Sequence, residues 1–439
     1  MNSLSSLFKR VEESFPDSEL FKDLMLLHRP DMYDNLALGL QQEHKNIDRI
    51  VFEYECSAYP TITCGIITYN EERCIRRCLH SVMDEFDEII VVDSGSNDST
   101  LTIIKDMQKR CSHIKVLVEP WRNDFSFHRN KIIENAEGDW IYFIDADNVY
   151  SKDNKGKMKR IARLLDFLGI DCVISPKIIE HDESISLDNR RMFSLKKGIL
   201  FSGKVHEEPI LLNGDIPINI PANIIVEHDG YNPQIIDIKK KNERNKELTK
   251  EMMEIDPLNP KWFYFYAREL YNSKDDIHIV KDSLIKAIEL SKSTNSRFSL
   301  DAMLMLCRVL FENNDFKLLE DHLGLFEQLY PNCSDTDYYR ALMIRMNIEQ
   351  KITRLIHVLK ESFSNVNKKY SFINESNDHI KLLVFELLIL INDWDRAMEV
   401  YHCIKSEKLR QSLMRRLYLY IDEISNRLCD RIYSTDAHV

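Results

Sequence analysis

Short apolar runs alternate with amphipathic stretches through the middle of the chain. Thr61 to Ile67, Glu88 to Asp93, His113 to Val118 and Trp140 to Ile144 are apolar almost throughout and too short for a buried helix. Such runs predict strands covered on both faces. Between them Glu71 to Val82, Ser99 to Lys109 and Phe127 to Ala136 carry helical spacing. Strand and helix in alternation predict an α/β domain with a parallel sheet. Ligands of such sheets sit beyond the carboxyl ends of the strands, where Asn70, Asp93 and Asp145 emerge.

After Gly230 the pattern lengthens. Lys239 to Lys246 is charged and reads as helix, and acidic turns at Asp276, Asp315 and Asp393 punctuate the rest of the chain. Their spacings, 315 − 276 = 39 and 393 − 315 = 78, predict a degenerate helical repeat. The unit is longer than the ~34 residues of the tetratricopeptide repeat, although Trp262 to Leu270 and Trp394 to Tyr401 have tetratricopeptide character. Stacked helix pairs form concave surfaces that hold peptides; a packing platform without a ligand is the alternative. The aromatics Trp262 to Tyr266 are expected in the core.

Glycine marks the same division. Nine of eleven glycines fall between Gly65 and Gly230, where tight connections need them and long helices would not tolerate them. The expected organisation is a helical arm at 1–58, packed on the catalytic domain or on a second subunit, an α/β domain at 59–232 and an all-α region at 233–439.

Composition narrows the function. Net charge is 59 − 71 = −12, which disfavours nucleic acid and requires a metal ion or a local basic cluster for any anionic ligand. No run approaches the ~18 apolar residues of a membrane span, and Met1 to Val11 lacks a signal-peptide core, so a cytoplasmic protein without membrane insertion is expected. None of the ten cysteines forms a Cys-x-x-Cys pair, which excludes a zinc ribbon or thioredoxin motif. Cys74 and Cys78, spaced to share a helix face, read as ordinary buried or half-buried thiols, with a metal or redox pair as the alternative.

Three segments carry chemistry. Phe143 to Asn148 ends a buried strand in Asp145 and Asp147. Alternation puts both carboxylates on one side, where they repel unless a cation intervenes. A divalent ion bridging phosphate oxygens meets that need; a solvated turn is the alternative. Thr68, Tyr69, Asn70 and Glu71 follow the first strand, and Asp93 to Thr100 follows the second. Helix capping accounts for Asp98 and Ser99 but not for Asp93, which suits a base imide or a ribose hydroxyl.

In this order these segments resemble the family 2 glycosyltransferases, over about residues 60–230, and imply their nucleotide-sugar-binding GT-A fold. Trp121 to Asn130 fits as well, with an Arg129-Asn130 pair opening the helix before the Asp145–Asp147 strand. Thr61 to Ile67, Asn123 to Ser126, Trp140 to Asn148, Gly203 to Pro209 and Gly230 to Pro233 look closer still to the sublancin-type (glycocin) peptide S-glycosyltransferases, and that likeness continues into the helical part. The resemblance implies an inverting enzyme that moves a sugar, glucose first, from a UDP-sugar to a cysteine of a bacteriocin precursor peptide, with serine as a further acceptor. It also implies a divalent metal, Mg²⁺ or Mn²⁺, and a homodimer.

Carried over by position, the resemblance assigns nucleotide-sugar binding to Thr68, Asn70, Glu71, Asp93, Ser94, Asp124, Arg129, Asp145, Ala146, Lys241 and Arg244. Asp93 would hold the uridine and Asp145 the ribose or sugar. Asp147 and His228 would bind the metal, although a histidine ending a strand also reads as structural. Lys241 and Arg244 either clamp the diphosphate or form a solvated basic face. Inversion needs a base on the acceptor side. Of His206, Glu207 and Glu208, Glu207 is favoured as the base and His206 as a sugar or acceptor contact. Arg190 and Arg191 steer sugar or acceptor, or make surface salt bridges. A thiol with a pKa of ~8.5 is already partly ionised at neutral pH, so the base matters less for cysteine than for serine. The rival readings are a family 2 enzyme acting on polysaccharide or lipid-linked acceptors, and an inactive transferase domain on a peptide-binding scaffold.

Overall fold

The structure is a computed structural model. It describes residues 3–39, 46–228, 238–294, 296–364, 373–374, 376–419 and 422. The chain forms two compact units, Met1–Ala302 and Met303–Val439. The sequence boundary expected at 232/233, and the Gly230 to Pro233 motif, lie outside the described residues.

The first unit opens with helices α1 (Leu4–Ser14), α2 (Glu19–Leu24) and α3 (Ile47–Glu55). Ser3, Ser18 and Asn46 cap them by accepting bonds from backbone N–H groups of their first turns. The core follows in order: β1 (Ile62–Thr68), α4 (Ile75–Val82), β2 (Glu88–Asp93), α5 (Thr100–Arg110), β3 (Ile114–Val118), α6 (Phe125–Asn135), β4 (Trp140–Phe143), β5 (Asn148–Tyr150), α7 (Lys157–Leu168), β6 (Cys172–Ile179), β7 (Ile185–Ser186), β8 (Met192–Ser194), β9 (Leu200–Ser202), β10 (Glu208–Ile210) and β11 (Ile218–His228). Helices α8 (Ile238–Ile255), α9 (Pro260–Asn272) and α10 (Ile277–Thr294) close this unit.

The sheet runs β3-β2-β1-β4-β8-β6-β11-β5, with β7 on β6. The pairs among β3, β2, β1 and β4 are parallel, as expected. Beyond β4 the expected parallel sheet becomes mixed: β8 is antiparallel to β4, and β5 to β11. Helix α7 precedes β6, which pairs in parallel with β11, but the connection from β6 to β8 holds only the short β7 and lacks the helix that a parallel crossover requires, so β8 runs antiparallel to β6.

Leu4, Leu7 and Val11 of α1, Leu20 and Leu24 of α2, and Ile50 and Tyr54 of α3 bury into one cluster with Ile62, Trp140 and the α7 residues Ile161 and Leu165. Asp23 is buried there. It accepts bonds from the Tyr54 hydroxyl and from Arg160 Nε at 2.5 Å, with Arg163 at 3.6 Å. A buried carboxylate needs such partners, and they tie α2, α3 and α7 together. The cysteines of the core, Cys64, Cys74, Cys78, Cys111 and Cys172, are buried free thiols.

Helix α11 (Phe298–Glu312) spans the division, and α12 (Phe316–Leu329), α13 (Asp335–Ser364), α14 (Asp378–Leu390) and α15 (Trp394–Cys403) belong to the second unit. Ile356, Val384, Phe385, Leu388, Ala397 and Val400 form its own buried cluster. Asp276, Asp315 and Asp393 immediately precede α10, α12 and α15. Asp276 accepts from the His278 N–H and Asp393 from the Arg396 N–H, so part of the repeat signal is helix capping. The position midway between Asp315 and Asp393, Arg354, falls inside the 30-residue α13, so the 39-residue period is not kept there. Trp262 and Phe265 are buried, as expected. No helix among the described residues is long and apolar enough to cross a membrane.

Candidate active site

Register brings the first group together. Thr68 and Asp93 are the last paired residues of β1 and β2, and Ser94 follows directly. All three are buried, and Thr68 Oγ1, Asp93 Oδ2 and Ser94 Oγ have no hydrogen-bond partner. The other Asp93 oxygen accepts from the Gly95 and Ser96 N–H groups at 3.1 and 3.0 Å. The unpaired oxygens thus cluster at two adjacent strand ends, and a buried polar atom without a partner costs ~1–3 kcal/mol. The Trp121 N–H donates to the Ser94 carbonyl at 3.1 Å. The Trp121 ring stacks on His128, with centroids 5.1 Å apart, and neither His128 nitrogen has a hydrogen-bond partner. Sequence reasoning passed over His128, whose signal was only its place beside Arg129.

A second group forms on Arg129, which α6 holds in the interior. Its Nε donates to Glu207 at 2.6 Å and its Nη2 to Asp145 at 3.2 Å, while Nη1 has no hydrogen-bond partner. Arg191 grips both Asp145 oxygens, at 3.0 and 2.5 Å. Burial would raise the Asp145 pKa, but the Arg191 and Arg129 charges outweigh it and hold the carboxyl well below the usual range. Of the arginines weighed from sequence, Arg191 joins this group. Arg190 instead bonds Asp188 and the Pro217 carbonyl.

The third group depends on strands distant in sequence. The pairing of β11 with β5 sets His228 opposite Asn148, beside Asp147, and its pairing with β6 sets Glu227 opposite Ile179, beside Glu180. His228 Nε2 lies 3.2 Å from Asp147 Oδ2, and Nδ1 lies 2.6 Å from Glu180 Oε2. Burial lowers the His228 pKa, yet the Asp147 and Glu180 carboxylates outweigh it and push it up to about 9. Arg77 Nη2 donates to the Asp147 carbonyl at 3.1 Å. Arg77, Glu180, His181 and His228 line a cleft of about 260 Å³. Among the described residues no three histidine, cysteine or acidic side chains converge on one metal position. Glu180 was missed in the sequence; its only signal was an acidic residue ending an apolar run.

Other expected residues have local partners. Asp124 caps α6, accepting from the Phe127 N–H and the Ser126 hydroxyl. Glu71 Oε2 lies 2.9 Å from Cys74 Sγ. Asn70 joins the two loops, receiving the Asn97 N–H and donating its own N–H to the Ser96 hydroxyl. Ala146 is buried between the two aspartates. On α8, Arg244 lies over the Phe125 ring at 5.0 Å, and burial lowers its pKa against the opposing charges of Glu207 and Glu269. Lys241 lies one turn earlier on that helix. Of the three acceptor-side candidates, Glu208 is bound to Lys261 at 2.9 Å and to Arg297. His206 stacks on Phe265 beside Glu269, and burial lowers its pKa. Of the three, Glu207 alone bonds Arg129, whose other nitrogen reaches Asp145.

Residues 63–230 match the model described as glycosyl transferase family 2. The SPbeta prophage-derived glycosyltransferase SunS of Bacillus subtilis strain 168 is 41% identical over 422 residues, covering 94% of this chain and 96% of its own. Glycosyltransferase SunS of Bacillus phage SPbeta matches to the same extent. Among solved structures, S. aureus TarS aligns over 59% of this chain and 54% of its own, with 14% identity and a TM-score of 0.36. With that segment carrying the three side-chain groups, and with likeness to SunS along nearly its whole length, the chain belongs to glycosyl transferase family 2.

Proposed function

We propose that the protein transfers a sugar, glucose first, from a UDP-sugar to a cysteine thiol of a bacteriocin precursor peptide, with inversion at the anomeric carbon. The observation that carries this reading is Arg129, which joins the base candidate Glu207 to the sugar-site candidate Asp145 through one buried guanidinium. A donor-side and an acceptor-side carboxylate thereby converge.

The unpaired oxygens of Thr68, Asp93 and Ser94 suit the base and ribose of the donor: the Asp93 carboxylate accepts from a uracil imide, and the hydroxyls serve its carbonyl or ribose oxygens. Asp145, kept ionised by Arg191 and Arg129, accepts from ribose or sugar hydroxyls. Asp147 and His228 would hold a divalent ion. They offer one oxygen and one nitrogen, with Glu180 orienting the imidazole from behind. A donor set this small suits an ion that takes its remaining ligands from phosphate and water. The charge of such an ion would stabilise the departing diphosphate.

Glu207 receives the proton of the acceptor. The thiol sulfur forms its bond to the anomeric carbon as the bond to the diphosphate oxygen breaks, and UDP leaves with the electron pair. Residues 233–439 present the peptide, and the enzyme works as a homodimer.

Intact-mass analysis of a cysteine-containing glycocin-type peptide, incubated with UDP-glucose and Mg²⁺, tests this. The expected result is one added hexose, lost when the cysteine is alkylated beforehand. Metal-dependent UDP binding with no sugar added to any such peptide would overturn the acceptor assignment.

A further inference from the structure

Helix α9 holds the loop that carries Glu207, one residue at a time. Lys261, Phe265 and Glu269 stand at i, i+4 and i+8 and therefore share one helical face. Beside them Trp262 packs so close to Gly203 (φ +110°) that a Cβ there would lie 2.7 Å from the indole. His206 lies flat on Phe265, ring centroids 4.0 Å apart and planes 12° from parallel, with Nε2 3.1 Å from Glu269 Oε1. Glu208 meets Lys261 Nζ at 2.9 Å, and both are buried. Glu207, between these two held residues, turns the other way onto Arg129. The reversal passes through His206, whose φ of 49° is left-handed, a conformation that persists only where its surroundings enforce it.

We infer that Lys261 and Glu269 are positioning residues for the reaction: by fixing the two neighbours of Glu207 they aim its carboxylate at the acceptor. The inference rests on the reading of Glu207 as the proton acceptor. Neither residue contacts the Thr68–Asp93–Ser94 cradle, so their effect falls on turnover and not on nucleotide binding. A misplacement of about 1 Å in a reacting group costs on the order of 100-fold in rate, so a loosened loop is expected to cost ~10–100-fold in kcat.

The test is a double-mutant cycle on the full chain, with peptide transfer measured alongside UDP binding by calorimetry. Glu269→Ala is expected to lower kcat ~10–100-fold with UDP affinity unchanged. Glu269→Gln, which keeps an oxygen at the position 3.1 Å from His206 Nε2, should retain most activity. Because Glu269 acts through Glu207, adding Glu269→Ala to Glu207→Gln should cost little more than Glu207→Gln alone. A full independent loss in the double variant, or a Glu269→Ala enzyme with wild-type kcat, overturns the inference. A Glu207→Gln enzyme with wild-type kcat overturns the underlying base assignment, and with it the positioning role. Should Glu269→Ala fail to fold, Lys261→Met, which leaves Glu208 its partner Arg297, takes its place in the same cycle.

Discussion

On the proposal that Asp147 and His228 hold a divalent ion, the protonation of His228 gives that binding a calculable pH dependence. In the metal-free protein Asp147 and Glu180 hold this imidazole protonated, with a pKa pushed up to about 9. A metal ligand must be neutral, so an incoming ion displaces that proton. A pH of 7 lies two units below that pKa, so removing the proton costs at most ~2.7 kcal/mol, or ~100-fold in affinity, at 1.36 kcal/mol per unit. Solvent screening at this partly open site trims that figure. Affinity for Mn²⁺ in the presence of UDP should therefore rise up to ~10-fold per pH unit from 7 to 9 and flatten above it. The stability of the metal-free protein moves oppositely. A pKa raised on folding adds stability that is fully present below the unfolded value of ~6.5 and is lost as pH rises through about 9. Calorimetric Mn²⁺ titrations at pH 6.5, 7.5 and 8.5, with melting curves of the metal-free protein alongside, measure both trends. Glu180→Gln removes one carboxylate from the imidazole and should bring the affinity plateau to lower pH. An affinity independent of pH, or a Glu180→Gln variant with the wild-type profile, would refute the assignment of His228 as a ligand.

Asp93→Asn keeps an oxygen for the Gly95 and Ser96 N–H groups but replaces the unpaired acceptor with a donor; UDP affinity should fall ~10–100-fold and the preference for CDP over UDP should rise, measured by competition calorimetry. Tyr54→Phe removes one bond from buried Asp23 while leaving Arg160 and Arg163; urea denaturation should show a loss of about 1.5 kcal/mol, and an unchanged midpoint would argue that α3 is not fastened through this carboxylate. Gly65→Ala would place a Cβ 2.9 Å from both Ile132 and Phe143; the expected cost is ~1–3 kcal/mol on thermal melting, and a neutral substitution would mean that α6 yields easily.

On the proposed reading, an acidic chain that handles an anionic donor has to solve the conflict locally. Arg129, Arg191 and Arg77 all stand within hydrogen-bond distance of the Asp145–Asp147 segment. Each is held by groups of that segment, so the aspartates orient the basic groups as much as the reverse. The net charge of −12 therefore says little about the potential at the site.

The four central strands were legible because buried parallel strands are apolar nearly throughout, and Asp93, Asp145 and Asp147 were legible because a charge closing such a run has no packing reason to be there. The helical character of the C-terminal part followed from its spacing and its scarcity of glycine. Tertiary structure alone decided the rest, because the partners come from elements far apart in sequence. Strand register places His228 beside Asp147 and Glu180 behind it, across 81 and 48 residues. Arg129 reaches Glu207 across 78 residues. No local pattern separates His206, Glu207 and Glu208; their surroundings part only because α9 supplies Glu269 and Lys261 to the outer two and α6 supplies Arg129 to the middle one. Propensity and periodicity are local properties, and they set which elements form. Which charges meet depends on how those elements pack, and that is fixed only when the sheet, α6 and α9 share one core.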